Sequence, residues 1–157
     1  MAELAGECER KLASGIRALD VVEHAVAELE SSGMYVAGRG SAPNSAGYVE
    51  LDASIMDCRT RDAGAAAAAV SVVNPVKVAR RVMEHTPHVM LVSKGAREFA
   101  TEQGMDLVDD PENYYVLPVG VYEHELREQE HGTVGAVAID QSGGLAAATS
   151  TGGTFGK

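Results

Sequence analysis

The chain has 157 residues, 45% of them apolar, and a formal net charge of −10. That composition suffices for one domain with a buried core, and the acidic balance argues against a nucleic-acid surface, whose affinity comes largely from cationic neutralisation of phosphates. No stretch reaches the roughly 18 apolar residues of a membrane helix, and MAELAGECERK at residues 1–11 carries three glutamates and no apolar run, so a soluble cytoplasmic protein is expected.

Aromatic residues make up only 4% and tryptophan is absent, so core layers must approach closely and be filled by small side chains. Cys8 and Cys58 match no metal or redox spacing and read as two reduced thiols.

In chain order, Ser14-Gly15 separates a short first helix from a second. In the second, Ile16, Leu19, Val22, Val26 and Leu29 recur at three- and four-residue spacing on one face, and Gly33 closes the run. Residues 32–48 are rich in Gly, Ser, Ala, Pro and Asn without a period, which predicts a long loop, a type of segment that is functional or disordered. Within it, Gly38-Arg39-Gly40 lacks the third glycine and the strand-helix setting of a dinucleotide fingerprint. VELDASIMD alternates Leu51, Ala53 and Ile55 against Asp52, Ser54 and Met56, the period of a strand.

Residues 64–73, GAAAAAVSVV, are ambiguous between helix and strand; the closing valines and the stop at Asn74-Pro75 favour a buried strand. Asn74 caps a helix with Pro75 at its first position, running to about His85; Pro87 prevents continuation, and HVMLV reads as a short buried strand. A helix over 94–103 ends at Gly104, an irregular connection follows from 109 to 118, and 121–130 forms a last helical or coil segment. His85 and His88 are surface or structural residues, since Pro87 denies them a common helical face and no third ligand is evident; HELRE at 124–128 lacks the second histidine of a zinc-protease motif. Helices alternating with strands in this way predict an α/β or α+β sandwich.

The last run, GTVGAVAID, then QSGG, then LAAATST, reads as a β-hairpin. With Gln141, Ser142 and Gly143 as a three-residue loop, Asp140 faces Gly144 and Thr133 falls opposite Thr151, to within one residue of register. A cross-strand Thr–Thr pair is common and mildly stabilising. The Gly132-Thr133 step offers a second reading. A threonine hydroxyl is a weak nucleophile that needs a base, and an N-terminal threonine carries one in its own α-amine, so cleavage after Gly132 would activate Thr133.

These residues resemble the plant-type L-asparaginases and isoaspartyl peptidases, which are N-terminal-nucleophile threonine hydrolases. The resemblance rests on GTVGAVAID at 132–140 and GGLAAATSTGG at 143–153, supported by LDASIMD at 51–57, AGRG at 37–40 and NPVKVARRVMEHTPHVML at 74–91. It covers nearly the whole chain from about Leu12 and implies a partial four-layer αββα sandwich. It also implies a precursor cut into an α-subunit region, 1–132, and the start of a β-subunit region, 133–157. Thr133 would be the nucleophile, Thr151 the residue that orients it and its amine, and Gly132 the last α residue. The substrate would be a small molecule, L-asparagine or a β-aspartyl dipeptide, and the enzyme a homodimer of αβ units. No cofactor is implied beyond a structural sodium ion on backbone carbonyls around Gly38-Arg39-Gly40.

Three departures from the family pattern stand out: no initial strand with a Gly-rich segment precedes the first helix, Val36 replaces the asparagine before Ala-Gly, and Cys58 replaces the glycine after Met56-Asp57. The residues expected to grip the substrate's α-carboxylate and α-amine, and the Thr-Gly pair of the oxyanion hole, fall beyond Lys157. The competing expectation is therefore a catalytically inactive, truncated remnant acting, if at all, as a non-enzymatic interaction module.

Overall fold

The computed structural model describes residues 1–118, 132–153 and 156. Helix α1 (Ala2–Ala13) ends at Ser14, and Gly15 at φ +87° turns the chain into α2 (Ala18–Ser31). The buried face of α2 carries Leu19, Val22, Val26 and Leu29 as expected. Ile16 does not join it: it precedes the helix and is 42% exposed. Gly33, at φ +68°, closes α2, and the loop that follows folds around one 3-10 turn, Gly38–Gly40.

Strand β1 (Leu51–Asp57) buries Leu51, Ala53, Ile55 and Asp57 in strict alternation. The alanine part of the ambiguous run is a strand, β2 (Asp62–Ala69), which ends before the valines that favoured a strand over 64–73, and its small residues have a steric reason. A Cβ at Gly64 would lie 2.1 Å from the Ala79 carbonyl oxygen and 2.7 Å from the Met83 nitrogen, so only glycine lets α3 (Pro75–His85) lie this close to the sheet. Strand β3 (Met90–Val92) is parallel to β2. It was expected to be buried, but Met90 and Val92 are more than half exposed because the strand lies at the sheet edge. Helix α4 (Ser93–Glu102) ends before Gly104 at φ +65°. The 109–118 connection is irregular apart from a single turn, α5 (Pro111–Tyr114), capped by Asp110. The segment expected at 121–130, with its HELRE run, lies outside the described residues.

Strands β4 (Thr133–Ile139) and β5 (Leu145–Thr151) complete a five-stranded sheet of order β3-β2-β1-β5-β4, antiparallel except for β2 with β3. Two apolar clusters cover one face of it. The first joins Leu19, Val22, Val26 and Val76 to Ala53, Ile55, Val134 and Ala148; the second joins Val78, Val82, Ala96 and Ala100 to Leu51 and Ala66. Burial of such side chains, at about 1.5–3 kcal/mol for each larger one, drives the helical layer onto the sheet. The opposite face carries Met56, Val137, Ile139 and Leu145, and nothing among the described residues covers them. The fold is thus mixed α/β, with one helical layer on one sheet. No helix among the described residues is long and apolar enough to cross a membrane.

Candidate active site

The hairpin register is the one expected from loop length: Thr133 pairs with Thr151, and the pairing continues without a slip to Ile139 and Leu145. Its closed end is locked by Asp140. The carboxylate accepts the backbone N–H groups of Ser142 (3.0 Å) and Gly144 (2.9 Å), the Ser142 hydroxyl (2.6 Å) and the Arg59 guanidinium (2.7 Å). It also accepts the Ala18 N–H at 3.1 Å, an otherwise unpaired donor of the first turn of α2. These donors, led by the Ser142 hydroxyl and the Ala18 N–H, hold the Asp140 carboxyl far below the usual carboxylate range.

At the open end, the Thr151 hydroxyl donates to the Gly132 carbonyl oxygen at 2.5 Å and accepts the Gly153 N–H at 3.0 Å. The carbonyl it touches belongs to the peptide bond joining Gly132 to Thr133. On the sheet's open face Thr133, Thr151 and Asp52 lie in register across β4, β5 and β1, and the Asp52 carboxylate accepts the Ala68 N–H at 2.8 Å.

The glycine-rich loop is folded against this end of the hairpin. Val36 accepts the Gly152 N–H at 2.9 Å through its carbonyl, while its side chain sits where a Cβ at Gly132 would project, 2.3 Å from such an atom. Gly152 is equally constrained, since a Cβ there would lie 2.2 Å from the Ser41 Cβ. Glycines at 132 and 152 therefore let the strand ends approach the loop. The loop in turn is tied outward: Arg39 lies over the Tyr114 ring at 5.9 Å and donates to the Tyr114 carbonyl at 3.2 Å. The carbonyls of Tyr35, Val36, Ala37, Gly38 and Arg39 each accept a backbone N–H, so the loop's shape is fixed by hydrogen bonds.

Below the loop is a residue that the sequence reading missed. Glu30, on the last turn of α2, is wholly buried. Its two carboxyl oxygens accept the Val76 N–H at 3.0 Å and the Asn74 side-chain amide at 3.1 Å. Asn74 was expected to cap α3, yet its side chain makes no capping bond and donates instead to Ala27, Glu30 and Ser31. The Glu30 carboxyl thus satisfies the start of α3 from a different helix. Burial pushes its pKa up to about 7, against the opposing pull of Ser150, Val76, Asn74 and the Lys77 charge. The Ser150 hydroxyl is itself buried and without a well-formed hydrogen bond. The available signal for Glu30 was its position: four residues after Val26, it falls on the apolar face of α2, where a charge is out of place.

His85 and His88 are exposed, in keeping with surface roles, and both cysteines are free. Among the described residues no group of three or more His, Cys, Asp or Glu side chains could hold a metal ion.

The profile of a protein family described as asparaginase matches residues 1–117 and 111–157. An isoaspartyl peptidase/L-asparaginase of Danio rerio is 42% identical over 157 residues, covering 93% of this chain and 50% of its own length. The protein of the same name from Rattus norvegicus is 41% identical over 167 residues, with 100% of this chain and 50% of its own length covered. An isoaspartyl peptidase of Salmonella typhimurium is 41% identical over 172 residues, covering 100% of this chain and 55% of its own length. The chain therefore spans about half the length of the curated relatives it matches.

Proposed function

Because the chain belongs to the asparaginase family, we propose that it carries the nucleophile of a self-cleaving amidohydrolase, with Thr133 in that role. The observation that carries this reading is the 2.5 Å contact between the Thr151 hydroxyl and the Gly132 carbonyl oxygen, beside the residue whose hydroxyl would attack. Thr133 Oγ adds to the Gly132 carbonyl carbon while Thr151 supports the developing negative charge on the oxygen. The C–N bond then breaks, the nitrogen takes the proton, and an ester links Gly132 to Thr133. Water hydrolyses it, leaving a Gly132 carboxylate and a Thr133 with a free α-amine. With a pKa of about 7.7–8.0, that amine can serve as the base for the Thr133 hydroxyl.

In the second reaction Thr133 attacks the side-chain amide of L-asparagine, releasing ammonia, or the isopeptide carbonyl of a β-aspartyl dipeptide, releasing the second amino acid. Water then frees aspartate from the acyl-enzyme. In this proposal residues 1–132 form the α-subunit region and 133–157 the start of the β-subunit region, in a cytoplasmic homodimer of αβ units. A sodium ion on the remaining lone pairs of the loop carbonyls would have a structural role only, and no chemical step passes through it. None of the described residues is assigned to the substrate's α-carboxylate or α-amine.

The test is aspartate release from L-asparagine and from a β-aspartyl dipeptide by the protein expressed from its whole reading frame, beside Thr133→Ala. Turnover of either substrate, lost in the variant, supports the proposal. Equal turnover with and without the Thr133 hydroxyl contradicts it.

A further inference from the structure

We propose that Glu30 is a positioning residue for the Gly132–Thr133 junction, its buried carboxyl holding the start of α3 next to Ser150 and its backbone seating the loop that bears on Gly132. The inference rests on the proposed function, in which that junction is where chemistry occurs.

Three contacts converge on Glu30. Its carboxyl oxygens hold the first turn of α3 through Val76 and Asn74. The same carboxyl lies near the buried hydroxyl of Ser150, the residue before Thr151, without a well-formed hydrogen bond between them. Neighbouring strand residues point to opposite faces, so the height of Ser150 above the helical layer sets the height of Thr151 on the open face. Finally, Gly38 rests on the backbone of Glu30: it has φ +55°, and a Cβ there would lie 2.5 Å from the Glu30 Cβ and 2.6 Å from the Glu30 carbonyl oxygen. Gly38 sits in the loop two residues after Val36, which touches Gly132 and accepts the Gly152 N–H. One residue therefore supports both sides of the junction, Thr151 from beneath and Gly132 through the loop.

The chemistry of the side chain sharpens the argument. A leucine would occupy this wholly buried site without the desolvation cost of a carboxyl. What it would not do is tie Val76 and Asn74 to the end of α2 beside Ser150. Reaction rates are sensitive to such orientation, because a displacement of about 1 Å at the reacting groups can cost on the order of a hundredfold.

The experiment follows the appearance of the new Thr133 N-terminus by mass spectrometry in the protein expressed from its whole reading frame. Each variant is read at the same interval below its own melting temperature. Glu30→Leu should slow cleavage about tenfold or more, whereas Glu30→Gln, which keeps one acceptor for the Val76 N–H and loses the other, should be slowed only about threefold. Val82→Ala, a core change in α3 away from the junction, should stay within about twofold, which separates positioning from general loss of stability.

Wild-type cleavage by folded Glu30→Leu overturns the inference, as does equal slowing by Val82→Ala. If Glu30→Leu does not fold, Glu30→Gln decides: slower cleavage at an unchanged melting temperature supports the inference, and an unchanged rate overturns it. A wild-type chain that stays intact overturns the proposed function and takes this inference with it.

Discussion

Thr151 and Gly132 are joined across the open end of the hairpin by a 2.5 Å hydrogen bond from the Thr151 hydroxyl to the Gly132 carbonyl oxygen. The donor is fixed by the register of β5 against β4, and the acceptor by the packing of Gly132 against Val36. A preorganised donor aimed at a carbonyl costs no reorganisation when charge develops on the oxygen. Removing it should be expensive. Thr151→Ala is expected to slow self-cleavage on the order of 10²- to 10³-fold, and Thr151→Ser, which keeps the hydroxyl, to retain most of the rate. Time courses of cleavage by intact-mass measurement distinguish the two variants.

Gly132→Ala should block the approach of the strand to the loop, because its Cβ would lie 2.3 Å from the Val36 Cβ. The expected outcome is a folded chain with cleavage slowed about a hundredfold or more. Val36→Ala keeps the offending Cβ, so only Val36→Gly should restore part of the rate in the double variant. A double-mutant cycle on the cleavage rate measures the coupling.

Asp140 should govern stability at the acid end. Its folded pKa is depressed, so its contribution is present above the ordinary carboxylate value of 3.8 and is lost as pH falls below it. Asp140→Asn keeps the shape but gives up the charge that Arg59 and the backbone donors pair with. The variant should melt several degrees lower at neutral pH and converge toward wild type as the pH drops below about 4. Melting temperature against pH for both proteins is the measurement.

Glu30 has the opposite sign. Its folded pKa is raised from 4.5 to about 7, so its contribution to stability is complete below the unfolded value and is lost as pH rises through the folded one. Across that interval the wild-type protein should lose stability on the order of 3 kcal/mol from this group alone. Glu30→Gln, which cannot ionise, should show a flatter profile between pH 5 and 8, as urea unfolding at a series of pH values would record.

Much of this arrangement is legible in the sequence. The alternation of Leu51, Ala53 and Ile55 gives β1, Pro75 marks the start of α3, and the short loop after Asp140 determines that Thr133 meets Thr151. These features are local, encoded in period or loop length. What escaped depends on contacts distant in the chain. Ile16 continues the spacing of the α2 face but lies before the first helical turn, whose Ala18 N–H is satisfied by Asp140, far along the sequence. Met90 and Val92 have the composition of a buried strand, and only the sheet order exposes them. Asn74 stands where a cap belongs, but tertiary packing brings Glu30 to the helix start and gives Asn74 other partners. The steric demand for glycine at 132 likewise comes from Val36, almost a hundred residues earlier.

The central claim is that the bond between Gly132 and Thr133 breaks itself, and the most direct measurement is the mass and N-terminal sequence of the purified protein during incubation. Time-dependent conversion into two pieces, the second beginning at Thr133, is the expected result, with Thr133→Ala remaining whole. A wild-type protein that stays intact, or one cut at the same bond in Thr133→Ala, would contradict the account.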